Sequence, residues 1–252
     1  MKISIITAVY NNRETVAAAL DSALAQNHPD VELIVIDGGS TDGTLEVLHG
    51  FADRLAVLVS EPDKGIYDAL NKGIQRASGD VVGFLHSDDL FADTGVLSHI
   101  EAAFADPGVE AVYGDLLYVR KDNPDQVVRY WRAGDFSRSR LSWGWMPPHP
   151  TFYVRRGVYV RLGGFDTSYR IAADYDCMLR FLGRGGVRVA YIPEVLVKMR
   201  LGGASNRSFR NIIQKSREDY RALRNNGIGG LATLLMKNFQ KLPQFFTRPG
   251  EN

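Results

Sequence analysis

The chain has 252 residues, 45% hydrophobic and 23% charged, the make-up of an ordinary globular protein with room for one large domain or two small ones. A formal net charge of +1 removes any global electrostatic case for nucleic-acid binding. The single cysteine, Cys177, excludes an internal disulfide and a cysteine-built zinc site, and its apolar neighbours Met178, Leu179, Phe181 and Leu182 point to an inert buried thiol.

Met1 and Lys2 lead directly into an apolar run at 3–9, so a strand is expected there and not a cleaved secretory leader. Residues 13–26 place Val16, Leu20, Ala23 and Leu24 at helical spacing. A strand at 31–36, a helix at 44–51 and a strand at 55–59 follow. Next come a helix at 67–77, with Leu70, Ile74 and Ala77 on one face, and a strand at 81–85. Strands alternating with helices imply a mostly parallel sheet covered on both faces.

The second half changes character. After a helix at 93–105 come short strands at 110–113, 116–120 and 127–131; the turn-rich Lys121-Asp122-Asn123-Pro124-Asp125 implies antiparallel pairing. Residues 133–150 are irregular and rich in Trp, Pro and Arg, a length of loop that is usually functional or mobile. A helix at 174–182, strands at 187–192 and 195–199, and a polar helix at 207–225 complete the domain. Leu231, Leu235, Phe239, Leu242 and Phe246 then share one helical stripe, with Lys237, Lys241 and Arg248 off it. The stripe has two readings: packing on the domain, or lying on a membrane surface through 228–248. No run reaches the roughly 18 apolar residues of a membrane span.

The polar residues gather where strands end, and in an open α/β sheet ligands bind beyond the carboxyl ends of the strands. Asp88 and Asp89 follow the run 81–85 across His86-Ser87 and precede Leu90-Phe91. Two adjacent carboxylates in greasy surroundings repel each other and are costly to desolvate. A divalent cation would remove both costs, and oxygen ligands suit Mg²⁺ or Mn²⁺. The competing reading is an acidic helix cap. Asp37 directly follows Leu33-Ile34-Val35-Ile36, where a carboxylate can accept a base N–H of a nucleotide. The following Gly38 to Thr44 reads equally as a turn and helix cap. Asp63, Lys64 and Asn71 fall at the same edge, and Lys64 could meet a phosphate, although the segment also reads as a loop and an amphipathic helix.

Four pieces in order, Thr7-Ala8-Val9-Tyr10-Asn11, Asp37 through Thr44, Asp63-Lys64-Gly65-Ile66-Tyr67-Asp68-Ala69-Leu70-Asn71-Lys72-Gly73, and Ser87-Asp88-Asp89, resemble the family-2 glycosyltransferases over residues 2–205. The third piece is similar to the branch that builds bacterial surface polysaccharides. The resemblance implies a GT-A type α/β fold. Its mostly parallel central sheet would be flanked by helices, with a smaller antiparallel acceptor-side portion and C-terminal helices. It further implies a catalytic domain at 1–205, divided into a nucleotide-sugar-binding half (1–115) and an acceptor half (116–205), with a helical extension at 206–252.

By the same resemblance, Asp37 pairs with the nucleotide base, usually uracil, and Thr7 and Val9 line its pocket. Asp89 would ligate the metal held by the donor diphosphate, and Asp88 would contact ribose or donor sugar. An inverting transfer needs a base for the acceptor hydroxyl. The family position matches Asp174, which also reads as a helix cap; the usual acidic partner before it is Ala173 here. His149 matches a position near the acceptor and sugar, where a structural histidine is an equal reading. Arg200 stands where relatives close a loop over the diphosphate, and an arginine grips phosphate without ligating metal.

The activity the resemblance implies is thus metal-dependent, inverting transfer from a nucleotide-sugar, by the family's usual base a UDP-sugar, to a hydroxyl of a saccharide or lipid-linked saccharide, with Mn²⁺ or Mg²⁺ as cofactor. The expected location is the cytoplasm or the inner face of the cytoplasmic membrane. A sugar-1-phosphate nucleotidyltransferase and a non-catalytic sugar-nucleotide-binding subunit are the alternatives. The first would want a glycine-rich basic loop where Tyr10-Asn11-Asn12 stand.

Overall fold

Strand β1 (Ile3–Val9) sorts its side chains by parity, and that alternation builds the molecule. Ile3, Ile5 and Val9 enter one apolar cluster, and Ile6 and Ala8 enter another on the opposite face. The computed structural model describes residues 1–202 and 209–239. Helix α1 (Val16–Leu24) covers the first face through Val16, Ala19, Leu20 and Ala23. Strand β2 (Val31–Asp37), helix α2 (Thr44–His49) and strand β3 (Val57–Ser60) follow. Helix α3 (Ile66–Arg76) covers the second face through Ala69 and Leu70. It lies close because Gly73 has no side chain: a Cβ there would stand 2.4 Å from Ile6 Cγ2. Strand β4 (Val81–Phe84) completes a parallel unit in which β1 lies between β2 and β4.

After β5 (Leu90–Phe91) and α4 (Val96–Ala103) come β6 (Ala111–Val119), β7 (Val127–Trp131), α5 (Arg138–Ser142), β8 (Tyr153–Arg155) and α6 (Arg156–Leu162). Helix α7 (Ala173–Leu179) runs into a wider turn at Arg180–Arg184, and β9 (Val189–Arg200) ends the sheet. The spatial order is β3-β2-β1-β4-β8-β6-β9-β5, with β7 paired to β6. Strand β8 joins the halves, antiparallel to both β4 and β6, while β6 and β9 run parallel. The second half thus keeps the direction of the first in β6 and β9 and adds the reversed strands β5, β7 and β8.

Several expectations change here. The strand pairs expected at 110–113 and 116–120, and at 187–192 and 195–199, are each one continuous strand. The register between β6 and β9 shifts around Gly114 and Asp115, and Ile192 and Val195 face those two consecutive residues. Pro193 and Glu194 are thus looped out where proline cannot donate to the ladder. Strands β5 and β8 and helices α5 and α6 were not expected. The segment 133–150 is anchored: the Ala133 N–H donates to Asp115 Oδ1 (2.8 Å), the Trp145 indole N–H to the Ala133 carbonyl (2.9 Å), and the Tyr113 hydroxyl to the Gly134 carbonyl (2.7 Å).

Helices α8 (Phe209–Asn225) and α9 (Leu231–Phe239) follow. Ala222, Leu223 and Leu234 enter the same core as α7, so these helices share the domain's interior. Helix α9 packs through Thr233, Leu234 and Lys237 and leaves Leu231, Leu235 and Phe239 exposed. Lys237, expected beside the stripe as a surface cation, is instead buried, with Nζ 2.9 Å from Asp219 Oδ2. Leu242, Phe246, Lys241 and Arg248 lie outside the described residues, as does 203–205. Cys177 is buried as expected, and burial pushes its thiol up to about 12.

Candidate active site at the strand ends

Three loops meet at the carboxyl ends of β1, β2 and β4. Asn11, with a left-handed φ of 48°, turns the chain beyond β1. Its backbone N–H donates to Ser40 Oγ, and its Oδ1 accepts from the Thr41 N–H. Asn12 Nδ2 donates to Ser87 Oγ at 2.9 Å, and Thr15 Oγ1 to the Ser87 carbonyl at 3.0 Å. The loop after β1 therefore ties the Asp37 loop to the Asp88-Asp89 loop.

Asp37 is fully buried, and its carboxylate is occupied by its own surroundings. It accepts from the Gly39 and Ser40 N–H groups and from the hydroxyls of Ser40 (2.5 Å) and Ser60 (2.6 Å). Asp37 thereby organises the loop at the end of β2, where the sequence reading placed a base contact. Thr7 and Val9 are likewise buried, and Thr7 Oγ1 has no hydrogen-bond partner among the described residues. The exposed ring of Tyr10 and the Asp63 carboxylate flank Gly38: a Cβ on Gly38 would stand 2.4 Å from Asp63 Oδ2 and 3.4 Å from Tyr10 Cδ2.

Asp89 is 1% exposed. Its Oδ1 accepts the Arg200 N–H at 3.1 Å, while its Oδ2 is buried without a hydrogen-bond partner among the described residues. Burial, then the neighbouring Asp88 charge, push the Asp89 carboxyl well above the usual range despite the opposing pull of Arg200. Arg200 Nη1 donates to the Asp88 carbonyl at 2.9 Å, and its Nε is buried without a hydrogen-bond partner among the described residues. The last residue of β9 thus backs the acidic pair, a contact the sequence reading, which gave Arg200 to the diphosphate, did not include.

Asp174 opens α7 from the other half of the molecule. Its Oδ2 lies 3.4 Å from His149 Nδ1, and its Oδ1 lies 3.1 Å from the Tyr67 hydroxyl, which also donates to the Ile171 carbonyl at 2.6 Å. Thr151 fixes the turn that carries His149 by donating to the carbonyls of Gly114 and Pro148. Burial lowers His149 to about 4, against the pull of Asp174. Burial opposes ionisation of Asp174, but the charges of His149 and Lys215 and the Tyr175 N–H outweigh it and set the carboxyl below its ordinary value.

His86 closes the gap between the two acidic centres. Its ring centroid is 5.5 Å from that of His149, and the charges of Asp88 and Asp174 both act on it, against a burial that lowers its pKa. The structure therefore brings Asp88, Asp89, Arg200, His149 and Asp174 around one crevice. Sequence reasoning missed His86 and Tyr67, although both stand inside pieces already singled out, immediately before Ser87-Asp88-Asp89 and after Gly65-Ile66.

Asn71 has a different role from the ligand contact expected of it: Nδ2 donates to the Phe165 carbonyl and Oδ1 accepts the Phe165 N–H, both at 2.8 Å. This amide pins the loop that precedes α7. Lys64 is exposed, and its backbone N–H donates to Asp68. Asp176 turns away from Asp174, accepting from Asn226 Nδ2 at 2.9 Å and lying 3.6 Å from Arg180. Among the described residues no cluster of three His, Cys, Asp or Glu could hold a metal by itself.

Residues 4–163 match the model of a family described as Glycosyl transferase family 2. A PGL/p-HBAD biosynthesis glycosyltransferase of Mycobacterium bovis is 31% identical over 208 residues, covering 81% of this chain and 78% of that protein. An uncharacterized glycosyltransferase of Mycobacterium tuberculosis is 34% identical over 184 residues, covering 71% of this chain and 68% of that protein. TarS of S. aureus superposes with a TM-score of 0.66 at 18% identity over 90% of this chain, which spans only 39% of the TarS chain. The mannosyltransferase PcManGT from Pyrobaculum calidifontis, solved in complex with GDP-Man and Mn²⁺, gives a TM-score of 0.69 at 22% identity, covering 96% of this chain and 70% of that one. At such identities the two solved structures establish the fold, a GT-A arrangement.

Proposed function

We propose that this chain, which belongs to glycosyl transferase family 2 and is a glycosyltransferase, moves a sugar from a nucleotide-sugar donor, a UDP-sugar, to a hydroxyl acceptor with inversion. The observation that carries this reading is the contact of the His86 ring, two residues before Asp88, with His149, which in turn lies 3.4 Å from Asp174 of the opposite half of the fold. The acceptor oxygen attacks the anomeric carbon as the bond to the diphosphate oxygen breaks. The hydroxyl proton passes to Asp174, and the nucleoside diphosphate departs. Asp174 meets the first requirement of a base, since a carboxylate of ordinary acidity is already ionised at neutral pH and its neighbours lower its pKa further. Tyr67 and His149 hold its two oxygens in place.

The residues present fit a divalent cation. Asp89 offers a buried oxygen without a hydrogen-bond partner, and Mg²⁺ or Mn²⁺ is commonly held by one or two carboxylates together with substrate phosphates. When bound, the ion would neutralise charge on the leaving diphosphate. Asp89 would hold it, Asp88 would meet the ribose or sugar, and Arg200 would steady their loop and offer its guanidinium to phosphate. Tyr10, Gly38 and Asp63 would border the base, with Asp37 shaping that wall from beneath.

The acceptor reading is a saccharide or lipid-linked saccharide. The exposed Leu231, Leu235 and Phe239 support an approach to lipid, and among the described residues no helix is long and apolar enough to cross a membrane. The test is nucleoside diphosphate release from a panel of nucleotide-sugars with Mn²⁺, comparing the parent chain with Asp174→Asn. The variant should bind donor normally and lose turnover; parental turnover in Asp174→Asn would refute the base assignment.

A further inference from the structure

One carboxylate outside the crevice grips the backbone that leads to Asp174 with both of its oxygens. Glu218, on α8, accepts the N–H of Arg170 at Oε1 (3.1 Å) and those of Ile171 and Ala172 at Oε2 (2.8 and 2.9 Å). Gln214, one turn earlier on α8, donates to Oε1 at 3.0 Å. These three N–H groups precede α7, and Ala172, at its N-cap, has no side-chain acceptor to organise them. The Ile171 carbonyl takes the Tyr67 hydroxyl that also reaches Asp174 Oδ1. One short segment is thus gripped by its N–H groups from α8 and by its carbonyl from α3, and Asp174 follows within three residues.

We propose that Glu218 is a positioning residue for Asp174, setting the height of the base above the crevice through the backbone of Arg170, Ile171 and Ala172. The inference rests on the reading of Asp174 as the acceptor-side base. It makes α8 a working part of the active site. Losing the grip frees the segment to shift, and a displacement of about 1 Å at a base costs up to roughly a hundredfold in rate. The donor side, built on β1, β2 and β4, is untouched by such a shift.

The experiment uses Glu218→Gln, which keeps one acceptor oxygen but turns an N–H₂ toward the backbone donors, and Glu218→Asp, which keeps the charge. With saturating UDP-sugar and Mn²⁺, Glu218→Gln should lower kcat about tenfold to a hundredfold and leave the dissociation constant of UDP within about twofold. Glu218→Asp should recover part of the loss. In an Asp174→Asn background, whose residual transfer is followed with radiolabelled donor, adding Glu218→Gln should change the rate by less than about twofold, because the group it positions is already disabled. Three results would overturn the inference: an unchanged kcat in folded Glu218→Gln, a matching loss of UDP affinity, or the same fold-loss in both backgrounds. Failure of the base assignment itself would read differently, as parental turnover in Asp174→Asn alone.

Discussion

Asp89 and Arg200 meet backbone to side chain: the Arg200 N–H donates to Asp89 Oδ1 at 3.1 Å, which leaves Oδ2 buried and without a hydrogen-bond partner among the described residues. A buried carboxylate with one satisfied oxygen is costly by itself and becomes favourable when a cation occupies the other. Asp89→Asn should therefore abolish Mn²⁺-dependent UDP binding and lower transfer by more than about a hundredfold. In metal-free buffer the same variant should melt at or above the parent temperature, because a neutral amide is cheaper to bury. Calorimetric titration of UDP with and without Mn²⁺, beside thermal melts, checks both; Mn²⁺-dependent binding retained by Asp89→Asn would exclude Asp89 as the ligand.

Gly38 and Asp63 make the narrowest contact of the proposed base wall. A methyl group at Gly38 would stand 2.4 Å from Asp63 Oδ2, so Gly38→Ala must displace a carboxylate whose other oxygen accepts the Gly65 N–H at 2.7 Å. The expected outcome is a folded protein that binds UDP about tenfold more weakly, roughly 1.4 kcal/mol. Adding Asp63→Ser opens space, so Gly38→Ala should cost little further in that background. Equal losses in both backgrounds would show that the glycine acts through something other than Asp63.

Part of this candidate site was legible because Asp37 and Asp88-Asp89 stand at the ends of apolar runs, and β1, β2 and β4 emerged near their true bounds. Asp174 was singled out only by the family resemblance. The convergence of these residues was not legible, since His86 and His149 meet only through the antiparallel link of β8. Strand β8 has three residues, Tyr153–Arg155, and β5 has two, Leu90–Phe91, too few for a periodicity to register. Strands β6 and β9 were split because Gly114 and Pro193 read as breaks, whereas the sheet absorbs them as a bulge. Asn71 illustrates another limit. A polar residue near a strand end was read as ligand-facing, yet both its polar atoms hold Phe165. Sequence position gives the edge of the sheet, not the direction of the side chain.

His149 should make stability fall on the acid side. In the unfolded chain its pKa is about 6.5, and in the folded chain burial holds it at about 4. Between those values the unfolded state binds a proton that the native state refuses, so stability rises with pH across the window and falls as pH drops through it. His149→Asn removes the group and should flatten that part of the profile by up to about 2 kcal/mol, a modest figure because the ring keeps 30% of its surface exposed. Urea melts at a series of pH values between about 4 and 7 measure the slope directly. An unchanged slope would mean that His149 titrates normally in the folded protein.

Glu32 gives the opposite sign at the far end of the sheet. Burial would raise its pKa, but hydrogen bonds from Lys2, Ser4 and Ser78 outweigh that and bring it to about 2. The contacts are close: Lys2 Nζ at 2.7 Å, Ser4 Oγ at 2.5 Å and Ser78 Oγ at 2.7 Å. A carboxyl whose folded pKa is depressed adds stability that is fully present above its unfolded value of about 4.5 and is lost as pH falls toward 2. Glu32→Gln should therefore cost about 2–3 kcal/mol at pH 7, and the difference from the parent should shrink through that acid window. Because Glu32 pairs with Ser4 at the start of β1, while the crevice lies at the other end of the strands, kcat should stay within about twofold of the parent in protein that remains folded. Paired urea melts and transfer assays separate the two effects, and a stability loss that persisted undiminished at low pH would show that packing, not the ionised carboxylate, holds that end of the sheet.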